Sequence, residues 1–242
     1  MRYSHLAVFL IISMSAIAQS LPPGTALPVM MGTTIKSKNA KSDETLDGKL
    51  MQQVRLKDGR VFKQGSHIYG HIISNEKTPD GGSKIVLSFD KIEEDGQTVP
   101  LHAGLLAIAS MASVANAQLP SNGANPPQDW ITRQIGGEVV NRGRGLLISG
   151  DGVVGKYLQS GDVVGKLTPN PEGGCVGGDG YDQEQALWLF STSACGPHSL
   201  KNLKIAQNGI TGTLATITLV STGDIEIRGG SGWLLLTTAN HN

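Results

Sequence analysis

The sequence is poor in the residues and motifs by which most enzymes and nucleic-acid-binding proteins are read. It has two cysteines, Cys175 and Cys195, and no Cys-x-x-Cys, so thiol redox motifs and zinc ribbons are excluded. Aromatics are sparse, with three Trp, four Tyr and four Phe, so any core has few large rings. Basic and acidic residues balance at 20 each, with no dense basic run. The positive stripe that displaces phosphate counterions is therefore missing, and no nucleic-acid partner is expected. There is no Gly-x-Ser-x-Gly elbow, no His-Glu-x-x-His and no Gly-x-x-x-x-Gly-Lys-Ser/Thr loop. In the repeated Gly-Val-Val-Gly-Lys and Asp-Val-Val-Gly-Lys, Lys156 is followed by Tyr157 and Lys166 by Leu167, so neither is a phosphate loop. No apolar run reaches the roughly 20 residues of a transmembrane helix. No cofactor is expected.

What is present begins with an address. Arg2 and His5 precede an apolar run over 6–12, and Ala16-Ile17-Ala18 has the small-x-small form of a signal-peptidase site. Residues 1–18 are thus read as a signal peptide. The expected location is periplasmic or extracellular, with no transmembrane segment left after cleavage. In an exported protein an isolated cysteine pair forms one disulfide. Closing the loop between Cys175 and Cys195 stabilises by about 3 kcal/mol on the loop-entropy model.

Glycine at 32 residues, short alternating runs and frequent turn dipeptides predict an all-β, mainly antiparallel fold. The expected organisation has four parts after the leader. These are a small β-barrel or sandwich over 21–101, a connecting helix over 102–118, a linker over 119–129 and a second, sandwich-like β half over 130–242. In the first part, Asp58-Gly59 and Asp95-Gly96 are hairpin signals, because both turn positions favour positive φ. Ile85, Leu87 and Phe89 share a parity that Ile92 breaks, which predicts a bulge near Asp90-Lys91 or a strand end. Leu101, Leu105, Ile108, Met111 and Val114 or Ala115 recur at helical steps, hence the predicted helix.

Residues 67–73 alternate, with Ile68 and Ile72 on one face and His67, Tyr69 and His71 on the other. This polar file is the candidate face for a partner or for the second half. In a strand the two histidines stand about 13 Å apart, too far to share a metal without a third element. The loop over 172–184 is the most acidic. Asp179, Asp182 and Glu184 could offer oxygen ligands to calcium, but they lack the full Asp-x-Asp-x-Asp-Gly spacing, so no metal is expected.

The succession Pro23-Gly24-Thr25, strand, Ser37 to Lys41, strand ending in Asp58-Gly59, then Lys63-Gln64-Gly65-Ser66-x-Ile68-x-Gly70 resembles a β module recurrent among secreted acidobacterial proteins. More distantly it is similar to the barrel of the TrbI-type component of conjugation and type IV secretion channels. The resemblance covers about a third of the chain. It rests on structural glycines and strand residues, and it implies a small envelope β-barrel.

The function expected from these features is that of an exported, non-enzymatic structural or interaction protein of the bacterial cell envelope, its partner an envelope protein or a glycan. A carbohydrate- or peptide-binding module is the alternative. Its aromatic platforms would come from Tyr69, Trp130, Tyr157 and Tyr181, since Trp188 and Trp233 sit in runs that read as buried. A hydrolase is a further alternative, and needs two convergent carboxylates among Asp90, Glu93, Glu94, Asp179, Asp182 and Glu184.

Overall fold

The computed structural model describes residues 21–56, 58–118, 129–142, 145–149, 152–158, 162–169, 175, 182–210 and 215–239. The expected signal peptide lies outside the described residues, as does nearly all of the expected linker.

The chain is mainly β. Its first part lays down β1 (Ala26–Met31), β2 (Ile35–Lys36), β3 (Thr45–Leu50), β4 (Val54–Arg55), β5 (Val61–Phe62) and β6 (His67–Lys77). Then come β7 (Ser83–Glu94), β8 (Gln97–Pro100), β9 (Ala103–Ala109) and the helix α1 (Met111–Gln118). A meander follows: β10 (Asp129–Gln134), β11 (Gly137–Arg142), β12 (Leu146–Ser149), β13 (Gly152–Tyr157), β14 (Val163–Lys166) and β15 (Glu184–Trp188). The last elements are β16 (Gly196–His198), β17 (Leu203–Gln207), β18 (Thr216–Ser221), β19 (Glu226–Ile227) and β20 (Gly232–Thr237).

The large sheet runs β16-β9-β20-β1-β3-β6-β7-β18-β17, with β8 on the far half of β7. Its two end strands are consecutive in the chain. The turn at 199–202, with positive φ at Ser199 and Asn202, brings β17 back against β16, so the sheet is a nearly closed barrel. All its pairings are antiparallel except β16 with β9. That exception has a topological cause. The chain leaves the barrel after β9, builds the separate six-strand sheet β10 to β15, and re-enters beside β9. Cys195, the residue before β16, is bonded to Cys175 with Cα atoms 5.8 Å apart. The expected disulfide therefore ties a loop of the inserted sheet to the point of re-entry.

Sheet membership crosses the expected boundary at 119–129. Residues 196–237 supply four strands of the barrel, whereas 129–188 form the inserted sheet. Such pairings span about ninety residues or more and leave no local trace in sequence.

The helix expected over 102–118 is confined to Met111–Gln118, because its first half is β9. A bulge explains the misleading pattern. Leu235 pairs with Leu105 and Leu234 with Ala107, which leaves Leu106 as the extra residue. Leu105 and Ile108 then enter the barrel core, and Leu106 and Ala107 enter the core beneath the inserted sheet. An extra residue turns a two-residue period into steps of three and four, which is the signature of a helix.

The bulge expected near Asp90-Lys91 is present: Tyr69 pairs with Lys91 and Gly70 with Phe89, so Asp90 is the extra residue. Asp58-Gly59 closes the β4–β5 hairpin, and Asp95-Gly96 closes β7–β8 with positive φ at both positions.

The barrel interior is apolar. Leu27, Val29, Ile68, Ile72, Leu87 and Leu235 share this core with Trp233, which meets Phe89 edge to face at 5.7 Å. The indole N–H donates to Ser231 Oγ at 2.9 Å, so the one polar group of this ring is satisfied. At Gly70 the strands approach too closely for a side chain, since an added Cβ would lie 2.0 Å from the Ser88 carbonyl oxygen. Gly70→Ala is expected to force β6 and β7 apart and destabilise by about 3 kcal/mol or more, read as a lower urea midpoint at unchanged m-value.

Candidate functional site

The outer wall formed by β3, β6, β7 and β8 carries the only predicted partner face. The parity of β6 aims Ile68, Gly70 and Ile72 inward, so His67, Tyr69 and His71 stand in file outside, half-exposed. Each is braced from a neighbouring strand. Asp47 of β3 pairs in register with Tyr69, and its Oδ1 lies 3.0 Å from His67 Nδ1. The Asp90 bulge brings that carboxylate to 2.7 Å from His71 Nδ1. Because an ionised carboxylate only accepts, both Nδ1 atoms carry the proton and donate. In the neutral ring, Nε2 of each histidine then keeps its lone pair.

Tyr69 sits between two cationic or polarisable neighbours. Its ring stacks on His67 at 5.7 Å and 17°, and Lys91 Nζ lies 4.8 Å from the ring centroid. Lys91 in turn pairs with Glu93 at 2.6 Å. The Lys91 ammonium holds the Glu93 carboxyl below the usual range, and the same contact raises Lys91.

Ser88, His71 and Asp90 have the composition of a catalytic triad but not its geometry. Ser88 Oγ donates to Asp90 Oδ1 at 2.7 Å and lies 3.4 Å from His71 Nδ1, the nitrogen that already serves Asp90. In a working triad the hydroxyl meets Nε2 and the carboxylate meets Nδ1, so that the ring can take the serine proton. Here that proton is committed to the carboxylate.

Four of the carboxylates considered for hydrolysis are engaged with other groups. Asp90 takes His71 and Ser88, Glu93 takes Lys91, and Glu94 accepts from the Lys63 backbone N–H at 3.0 Å. Glu184 pairs with Lys156 at 2.9 Å. Of the calcium candidates, Asp182 is exposed just before β15, Glu184 is held by that lysine, and Asp179 lies outside the described residues. Among the described residues no group of three or more His, Cys, Asp or Glu side chains is placed to hold a metal. No helix there is long and apolar enough to cross a membrane. Trp188 and Trp233 are buried, while Tyr181 and the side chains of Trp130 and Tyr157 lie outside the described residues.

Comparison with protein-family models and with curated protein sequences finds no match.

Sequence reading missed Asp47, Ser88 and Lys91 as partners of the histidine file, and it missed a buried polar seam elsewhere. Gln52 Oε1 accepts from Trp188 N–H at 2.6 Å. Gln185 accepts from Ala26 N–H at 3.0 Å and donates to the Gly24 carbonyl at 2.9 Å. These two carboxamides join the barrel to the inserted sheet.

One titratable group lies at the re-entry point. His198 Nε2 is buried without a hydrogen-bond partner among the described residues. Burial lowers the pKa of the ring, and a hydrogen bond to the Cys195 backbone pulls the other way and is the smaller effect. The unfolded chain therefore takes up this proton at a pH where the folded chain resists it. Stability is full above about pH 6.5 and declines as pH falls below that value. His198→Phe is expected to remove that part of the decline, measured by urea melts from neutral pH to about pH 5.

Proposed function

We propose that the chain is an exported, non-enzymatic interaction protein of the bacterial cell envelope, contacting an envelope protein or glycan through the outer wall of its barrel. The observation that carries this reading is the His67, Tyr69, His71 file with its bracing by Asp47, Asp90 and Lys91. Hydrogen bonds from Asp47 and Asp90 and the Lys91 cation–π contact fix these side chains before any partner arrives, which lowers the ordering cost of association. The lone pairs left on Nε2 and the face of Tyr69 suit a partner bearing N–H, O–H or cationic groups. The serine proton committed to Asp90 favours recognition over nucleophilic chemistry. The likeness of the first module to acidobacterial envelope proteins and, at greater distance, to the TrbI-type barrel agrees with a nearly closed barrel-like sheet.

Two measurements test the reading. Sequencing of the exported protein is expected to begin at Gln19. Gentle cross-linking in envelope fractions is expected to recover a defined partner with the native chain, and recovery should drop about tenfold or more with a His67→Ala, Tyr69→Ala, His71→Ala variant of unchanged circular dichroism. Equal recovery by both, or a free monomer alone, overturns it.

A further inference from the structure

A groove of about 530 Å³ is lined by two parts of the chain, and ordinary ligand sites span roughly 300–1,000 Å³. The segment that carries the β4–β5 hairpin supplies residues 52–55 and Gln64. The inserted sheet supplies Leu158, Asp162, Val164 and residues 184–186. Much of this lining is already committed. Gln52 and Gln185 serve the seam between the sheets, and Asp162 is engaged elsewhere. Arg55 is not. Its side chain is exposed and the guanidinium makes no hydrogen bond or ion pair among the described residues, whereas Arg60 pairs with Asp58 and Arg228 with Glu226. Glu184 gives only Oε1 to Lys156, at 2.9 Å, which leaves Oε2 able to accept. Leu158 is 38% exposed and Val164 half-buried, so both offer apolar surface.

The two parts of the chain thus bring opposite charge to one groove, Arg55 from the hairpin segment and Glu184 from β15. A ligand of one sign meets repulsion from one of them: an anion from Glu184, a cation from Arg55. A zwitterion is attracted by both. Its carboxylate fits the guanidinium fork with two parallel hydrogen bonds. Its ammonium carries three donors and suits a free carboxylate oxygen. Leu158 and Val164 add a reason for the ligand to have an apolar body, since covering them removes that surface from water. A neutral sugar leaves both charges unmatched and finds no aromatic ring in the lining to stack on.

We infer that this groove binds a small zwitterion with an apolar body, the chemistry of a free amino acid, with its carboxylate on Arg55, its ammonium on Glu184 and its apolar part against Leu158 and Val164. None of the lining residues belongs to the histidine file, so this site stands apart from the outer wall.

The test is calorimetric titration of the full folded chain with two zwitterions that differ in charge separation, leucine and ε-aminocaproate. At least one is expected to bind. Its analogues with a single charge, isocaproate and isoamylamine for leucine, caproate and pentylamine for ε-aminocaproate, are expected to bind about tenfold or more weakly. Arg55→Gln should remove the advantage of the zwitterion over the amine, and Glu184→Gln its advantage over the acid. Arg55→Lys keeps the charge without the fork and should fall between wild type and Arg55→Gln. Both positions are exposed, and unchanged circular dichroism checks that the variants fold. The His67→Ala, Tyr69→Ala, His71→Ala variant should bind the zwitterion normally, which separates failure here from failure of the outer-wall reading. Three outcomes overturn the inference: neither zwitterion binds, a single-charge analogue binds as well, or affinity is indifferent to both Arg55→Gln and Glu184→Gln.

Discussion

The architecture depends on two adjacent strands that have no solvent face. Every residue of β9 and of β20 is buried. One side of the pair, with Leu105, Ile108, Trp233 and Leu235, belongs to the barrel interior. The other, with Leu106, Leu234 and Leu236, belongs to the core beneath the inserted sheet. Uncovering those three leucines would cost about 5–9 kcal/mol at the usual value per buried side chain. That is comparable to the whole net stability of a domain (about 5–15 kcal/mol). The inserted sheet is therefore a structural necessity for this barrel and not an ornament on it. The same constraint explains why β9 and β20 contain no charged residue, and why the disulfide sits where the chain returns to β9.

Apolar burial brings the two sheets together, but it does not fix their offset. The two buried glutamines do. Gln185 satisfies a donor and an acceptor at the start of β1, and Gln52 satisfies a donor at the end of β15. Loss of either would leave buried backbone groups without these partners, at about 1–3 kcal/mol for each orphaned group. Held at both ends in this way, β15 cannot slide down onto the segment after β3.

Much of the fold was legible wherever a strand kept a strict two-residue period. β6 announces itself by His67, Tyr69 and His71 against Ile68 and Ile72, and the Asp90 bulge by the phase slip at Ile92. β3 did not, because the inward position between Leu46 and Leu50 is Gly48, which has no side chain to mark the period and where an added Cβ would lie 2.6 Å from Val29 Cγ1. β9 read as a helix because of its bulge. Strand order was hidden for a different reason: pairings such as β1 with β20 and β7 with β18 join distant segments, and periodicity carries no address for a partner. The site shows the same division. The histidine file follows from parity within one strand, whereas Asp47 and Asp90 reach it only through register, from 20 and 19 residues away.

Bracing by register has a functional consequence. A histidine on an open strand face samples several rotamers, and a partner must freeze them. Here Asp47 and Asp90 fix both the rotamer and the tautomer, and Lys91 fixes the tyrosine ring between itself and His67. Each of these contacts is partly exposed, so each adds little to stability. Their effect is on geometry. Acceptor nitrogens and an aromatic face are held on a rigid sheet, and a sheet whose inner face is filled by Ile68, Ile72 and Phe89 cannot bend to present them otherwise. Conformational cost saved before contact becomes affinity on contact, which is why weak surface hydrogen bonds are a reasonable device on a recognition wall and a poor one for holding a fold.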